Sequence, residues 1–195
     1  MTTDEAQRDM RFSYFSGAPG MLASAFAWLI AGFVALRGSP SSAVLALFAG
    51  GMLIHPVGVL LCKAMGRSGK HSKANPLGAL ALENTGWLIL CMPITYAVAQ
   101  YNVLWFFPAM LLVIGGRYLT FHTLFGMRIY WACGASLAFV GYLLAASKSQ
   151  PHVAAFAGAA VEAAFAAAIL LHSLRAASAR VSAANPQRRR PISPR

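Results

Sequence analysis

Six long runs of apolar residues are the feature that most constrains the fold of this 195-residue chain. Each run is close to the roughly 20 mostly apolar residues that a helix needs to cross a bilayer. Hydrophobic residues make up 58% of the sequence and charged residues only 11%, whereas soluble domains carry about 25% charged residues. Because the apolar residues form continuous runs and not amphipathic stripes, the sequence predicts an all-α bundle of six transmembrane helices.

Short polar connections separate the predicted spans. The spans cover residues 19–36, 43–62, 77–99, 103–121, 127–146 and 153–174. Residues 1–18 are expected to form a cytoplasmic amino-terminal segment, and residues 175–195 a basic, disordered cytoplasmic tail. Three acidic residues precede the first run, which is long enough to span, so we expect a transmembrane helix there and not a cleaved signal peptide.

The distribution of Lys and Arg predicts that both ends of the chain are cytoplasmic. With the amino terminus inside, every Lys and Arg except Arg37 and Lys148 falls on the cytoplasmic side. Such an excess in short flanking segments is what sets orientation. The net charge of +11 therefore indicates topology and contact of the basic loop (63–75) and tail with anionic lipids, and we expect no nucleic-acid binding.

Ionisable side chains inside the spans are the best indicators of function, since each costs on the order of 2.5–3.5 kcal/mol at a helix centre. Residue counts place His55, Glu83 and Arg117 about 10, 9 and 6 Å from the cytoplasmic ends of their spans. Together with Asn84 they form a predicted polar layer. It is consistent with a proton- or anion-handling site, or with a Glu83–Arg117 ion pair that only fixes helix packing.

Glu162 lies about 13 Å into the last span, near the midplane of the bilayer. The sequence places no basic residue of another span at that depth. Two interpretations stay open: a protonated carboxyl group that hydrogen-bonds to a neighbouring helix, and a proton- or ion-binding site.

A second polar group lies between spans four and five. Tyr118 and His122 share a helix face at i, i+4 spacing, and Arg128 begins the next span. One interpretation is a site for a lipid headgroup or another anionic ligand, with Arg117 and Arg128 as hydrogen-bond donors. The other is interfacial anchoring by Arg, Tyr and Trp side chains.

Neither a metal site nor a cofactor is predicted. The spacing of Cys62, Cys91 and Cys133 matches no zinc, haem or redox motif, so we expect these residues to fill the apolar core. Small residues recur every four positions in the last span, at Ala155, Ala159, Ala163 and Ala167. That spacing favours close helix packing, either inside the bundle or at a homodimer interface.

Several short segments resemble an uncharacterised family of bacterial multi-pass membrane proteins, known only as a domain of unknown function. They are Met52 to Pro76, Ala81-Leu82-Glu83, Trp105-Phe106-Phe107-Pro108-Ala109 and Gly115-Gly116-Arg117-Tyr118 through Trp131. The resemblance covers about residues 12–146. It implies a small polytopic membrane protein and supplies no activity or site residue; the bacterial inner membrane is our own expectation for its location.

Three functions are compatible with these patterns. The polar residues inside the spans favour a small transporter or permease-like carrier. The alternatives are a membrane-embedded enzyme acting on a lipid or isoprenoid, for which His71, His122 and His172 are candidates, and a non-catalytic scaffold or partner subunit.

Overall fold

The structure, a computed structural model, describes the backbone of residues 1–184 and the side chains of residues 1–175. Within these residues the chain forms seven α-helices: α1 (Thr3–Ser13), α2 (Ala18–Arg37), α3 (Pro40–Ala64), α4 (Leu77–Tyr101), α5 (Phe106–Phe125), α6 (Ile129–Ala146) and α7 (Pro151–Ala184). Helices α2 to α7 are the six that are long and apolar enough to cross a membrane. The predicted all-α, six-span architecture is therefore confirmed.

The two ends of the chain differ from the predicted boundaries. The segment expected to precede the first span contains a regular helix, α1. At the other end, the backbone of α7 continues to Ala184, beyond the predicted end at residue 174. The remaining part of the predicted disordered tail, 185–195, lies outside the described residues.

The six spans pack in two groups of three helices. In the first group α2 packs along both α3 and α7, and in the second α5 packs along α6 and, less extensively, along α4. The groups meet where α7 contacts α6 and α5. We refer to this boundary as the junction. Helix α2 is the most buried span, whereas α3 and α4 leave most of their surface exposed, as expected for helices that face lipid or another chain.

Helices α5 and α6 approach each other through glycine. A Cβ atom on Gly115 would lie 2.7 Å from the carbonyl oxygen of Gly134, and one on Gly134 would lie 2.5 Å from the carbonyl oxygen of Gly115. Neither residue therefore tolerates a side chain without movement of the partner backbone. Small residues at a crossing are the usual means by which membrane helices pack closely.

Helix α1 lies across one end of the bundle. A capping box between Thr2 and Glu5 satisfies its first backbone N–H groups, and its side of Ala6, Met10 and Ser13 is buried. Gln7 donates a 2.8 Å hydrogen bond to the carbonyl oxygen of Thr123 at the end of α5. Together, α1 and the connection of residues 65–76 are termed the amino-terminal cap.

Asp9 joins the two parts of the cap. Its Oδ2 accepts hydrogen bonds from the Asn75 side-chain amide (2.8 Å) and from the backbone N–H of Ser72 (2.9 Å). Burial raises the pKa of Asp9, but the hydrogen bonds from Asn75, Ser72 and Ser13 outweigh this effect, and the pKa lies below its ordinary value. The carboxylate is therefore ionised at neutral pH and holds the cap together.

A turn of three left-handed residues connects α1 to α2. Phe15, Ser16 and Gly17 have φ values of 50°, 55° and 84°, which cost about 1–3 kcal/mol at each non-glycine residue. The Tyr130 hydroxyl donates to the carbonyl oxygen of Ser16, and the Ser173 hydroxyl donates to the Ser16 hydroxyl at 3.0 Å. Contacts from α6 and α7 thus hold the strained turn.

The orientation with both termini in the cytoplasm stays a prediction, and two exposed lysines allow it to be tested. The Lys70→Cys and Lys148→Cys variants should differ in reaction with a membrane-impermeant maleimide, because the two positions lie on opposite predicted sides of the membrane. The three native cysteines are buried and should not react. We expect Cys at position 148 to react in intact cells and Cys at position 70 only after permeabilisation. The reverse pattern would show that the chain is inverted.

The backbone contact between α5 and α6 predicts unequal effects of two neighbouring substitutions. Gly115→Ala should lower the free energy of unfolding by about 1–3 kcal/mol, because the added methyl group separates the helices. Gly116→Ala is the matched control: its Cβ would meet nothing within 4 Å, and it should be neutral or slightly stabilising. Thermal unfolding in detergent measures both, and equal effects would contradict the close approach.

Candidate functional site

Glu162 lies near the middle of α7, with no exposed surface. It is about 16 Å along the helix from Pro151 and about the same distance from Ser173, which reaches the cap end. The Tyr118 hydroxyl of α5 donates a 2.9 Å hydrogen bond to its Oε1. This bond crosses the junction and links the two helix groups in the interior of the bundle.

Two further buried side chains interact with this carboxyl group. Ser24 of α2 is buried, and its hydroxyl is close enough to interact with the carboxyl group, although Oε2 itself has no hydrogen-bond partner among the described residues. Cys133 of α6 is fully buried beside Glu162 and Tyr118. The ring of Tyr118 stacks on that of Tyr130 at 6.1 Å between centroids.

Arg117 supplies the nearest cationic group. Its guanidinium interacts electrostatically with Glu162 but is not close enough for an ion pair. Its Nε is buried without a hydrogen-bond partner in the described part of the chain, and the guanidinium carbon lies 5.5 Å from the ring centroid of Phe121. Residue counting placed no basic residue at the depth of Glu162, but the long side chain of Arg117 brings its guanidinium within electrostatic range of the carboxyl group.

The predicted polar layer is only partly assembled. Asn84 is buried, and its amide donates a long 3.4 Å hydrogen bond to the carbonyl oxygen of Arg117. Glu83 and His55 are exposed on α4 and α3, and Glu83 makes no ion pair with Arg117 within the described side chains. The interpretation of this layer as a Glu83–Arg117 ion pair is therefore not seen among the described side chains, although α4 and α5 do pack together. Any functional role of these residues stays a prediction.

The residues of the second predicted polar group do not lie together in the structure. Tyr118 and His122 both contact α6, the former through Tyr130 and the latter through Trp131, with 4.5 Å between ring centroids. Arg128 is exposed at the start of α6. Only Tyr118 belongs to the group around Glu162.

The other candidate histidines are separated from each other. The Nδ1 of His71 hydrogen-bonds to the Tyr14 hydroxyl at 2.8 Å in the cap, and His172 is exposed on α7. Within the described residues, no group of three or more His, Cys, Asp or Glu side chains is placed to hold a metal ion.

The small residues of α7 face two environments. Ala155 and Ala159 are buried, on the helix that packs along α2, while Ala163 and Ala167 are exposed. The predicted packing of α7 inside the bundle is thus observed for part of the series. A homodimer through the exposed part stays a prediction.

The chain belongs to a family of unknown function, DUF7010, whose sequence profile matches residues 3–172. The matched residues include α1 to α6, and α7 as far as His172. It confirms the predicted membership in a family defined only as a domain of unknown function. No curated protein and no solved structure matches the chain.

The Tyr118–Glu162 hydrogen bond should contribute measurably to stability. Tyr118→Phe removes the donor to Oε1 and leaves a buried carboxyl group without it, so we expect a loss of about 1–3 kcal/mol in the free energy of unfolding. Tyr142→Phe, on the exposed face of α6, is the control and should have no effect. A double-mutant cycle with Glu162→Leu isolates the pair, because leucine cannot accept the hydrogen bond, and a coupling energy of zero would contradict the bond.

Proposed function

We propose that this protein is a small carrier of the bacterial cytoplasmic membrane in which Glu162 takes up and releases a proton during transport. The observation that carries the proposal is the fully buried carboxyl group at the junction of two helix groups. Ionisable residues inside membrane spans are costly, and they characteristically mark ion pathways and proton relays.

The location of Glu162 supports a carrier. In many transporters the coupling site lies near the bilayer midplane, between two helix groups that move relative to each other. Glu162 belongs to the α2–α3–α7 group, and its partner Tyr118 belongs to the α4–α5–α6 group. A change in the protonation of Glu162 would therefore change a contact between the two groups.

The surrounding groups are suited to proton exchange. The hydroxyl groups of Tyr118 and Ser24 can each donate or accept a hydrogen bond, so both charge states of the carboxyl group find a partner. Helices α3 and α4 contain Pro56 and Pro93 within their length, and membrane helices tolerate the interrupted backbone hydrogen bonds that such prolines cause. The enzyme and scaffold roles considered from the sequence stay alternatives.

Proton movement in proteoliposomes tests the proposal. A pH-sensitive dye is enclosed in the vesicles, and small carboxylates, phosphate, amines and sugars are added outside one at a time. We expect at least one solute to drive a pH change inside, and Glu162→Gln to abolish this change, because an amide cannot exchange the proton.

Glu83→Gln is the matched control for this experiment. It removes the other carboxyl group inside a span, but one that is exposed on α4, so proton movement should match that of the wild type. The proposal is overturned if none of the solutes moves protons, or if Glu162→Gln transports as well as the wild type.

A further inference from the structure

We propose that the Arg117 guanidinium binds the anionic group, a carboxylate or a phosphate, of the transported molecule, and that this anion and a proton on Glu162 bind cooperatively. The role of this anion site in transport rests on the proposed carrier function. Binding itself can be measured without transport.

The hydrogen-bonding capacity of Arg117 is unused. A guanidinium carries five N–H donors, and none of them donates to a residue whose side chain is described. Nε is buried in the bundle as well. Buried polar groups nearly always have a partner, and one without a partner calls for an explanation such as an absent ion. An acceptor from outside the chain would account for the buried Nε and could also accept from the terminal N–H groups.

The carboxyl group of Glu162, which interacts electrostatically with Arg117, does not accept a hydrogen bond from it. Glu162 could have paired with Arg117, yet its Oε1 accepts from Tyr118 and no ion pair forms. Arg117 thus retains a positive charge and a planar set of donors. That arrangement fits the two oxygens of a carboxylate or phosphate, since a guanidinium binds such groups through two parallel hydrogen bonds.

The surroundings of Arg117 limit how it can move. Its guanidinium lies over the ring of Phe121, an arrangement in which the ring face attracts the cation. Its backbone carbonyl accepts from Asn84 of α4 and from the Thr120 hydroxyl at 2.7 Å. The backbone of Arg117 is therefore fixed, and its cation lies beside Phe121 on α5 before a ligand arrives.

Electrostatics couple this site to Glu162. An ionised Glu162 attracts Arg117 and repels a second anion beside it, whereas a protonated Glu162 does neither. The other titratable groups that face Glu162 are Tyr118 on α5 and Cys133 on α6, a phenol and a thiol that are ordinarily neutral at physiological pH. The anion should therefore bind more tightly when Glu162 carries a proton, and by thermodynamic reciprocity the bound anion favours that proton.

Calorimetric titration of the purified full chain in neutral detergent tests the inference, with inorganic phosphate and acetate as probes. For at least one probe, the wild type should bind more than about fivefold tighter at mildly acidic than at mildly alkaline pH. Glu162→Gln, which mimics the protonated carboxyl group, should bind tightly at both. Arg117→Gln should not bind, and Arg117→Lys should bind weakly, because it keeps the charge but loses the paired donors.

A lipid headgroup is the second possible source of the same anionic group. Nanodiscs of phosphatidylglycerol and of phosphatidylcholine distinguish the sources. If the anion is a headgroup, phosphatidylglycerol should stabilise the wild type and phosphatidylcholine should not. Arg117→Lys should not be stabilised by phosphatidylglycerol. Binding of either kind supports the site. The proposal is overturned if neither probe nor phosphatidylglycerol binds, if Arg117→Lys binds as well as the wild type, or if Glu162→Gln keeps the pH dependence.

The binding and transport experiments fail separately. If the proteoliposomes show no proton movement but phosphate or acetate binding depends on Arg117 and Glu162 as described, the carrier function is wrong and the anion site stands. If transport depends on Glu162 but no anion binds at Arg117, the carrier function stands and this inference is wrong. Glu83→Gln again serves as the control and should bind like the wild type.

Discussion

A polar side chain in an apolar interior needs a hydrogen-bond partner from the protein itself. In this bundle the carboxyl group of Glu162 accepts a hydrogen bond from the Tyr118 hydroxyl. Water cannot replace a lost partner at this depth, so the bond links α5 to α7 at a fixed point along both helices. The contact between α7 and the α4–α5–α6 group is limited compared with the packing of α2 against α3 and α7, and of α5 against α6. The buried polar pair acts beside aromatic contacts between the groups, such as that of Trp28 with Phe107, in holding them in register.

The sequence is sufficient to predict the six spans, because each is a continuous apolar run of bilayer length. It also identifies Glu162 as a buried carboxyl group. It does not predict which polar side chains of different helices contact each other, because the depth of a residue along a helix does not define its angle around the helix axis. Glu83 and Asn84 lie at nearly the same depth but point about 100° apart, and the structure buries Asn84 and exposes Glu83.

The structure of the amino-terminal cap was not predicted from the sequence, for a different reason. Residues 1–16 contain no apolar run, and hydropathy alone assigns them no structure. The pattern of Thr2 followed by Glu5 is nevertheless a helix-start signal, and Ala6, Met10 and Ser13 recur at helical spacing on the buried side. What no local pattern reveals is the left-handed turn at Phe15 and Ser16, since its conformation depends on hydrogen bonds from Tyr130 and Ser173, which are distant in sequence.

The cap and the junction hold the same two helix groups in different ways. The connection of residues 65–76 joins α3 of one group to α4 of the other, and α1 is hydrogen-bonded to it through Asp9. Both bonds are made to an ionised carboxylate, and the one from Asn75 is partly buried, so each contributes about 1.5–3 kcal/mol. The junction bond is shielded from water, and a change of charge on Glu162 would act on it directly. In the proposed carrier, chemistry at the junction would control the relative movement of the groups, while the cap would limit how far apart their ends can move.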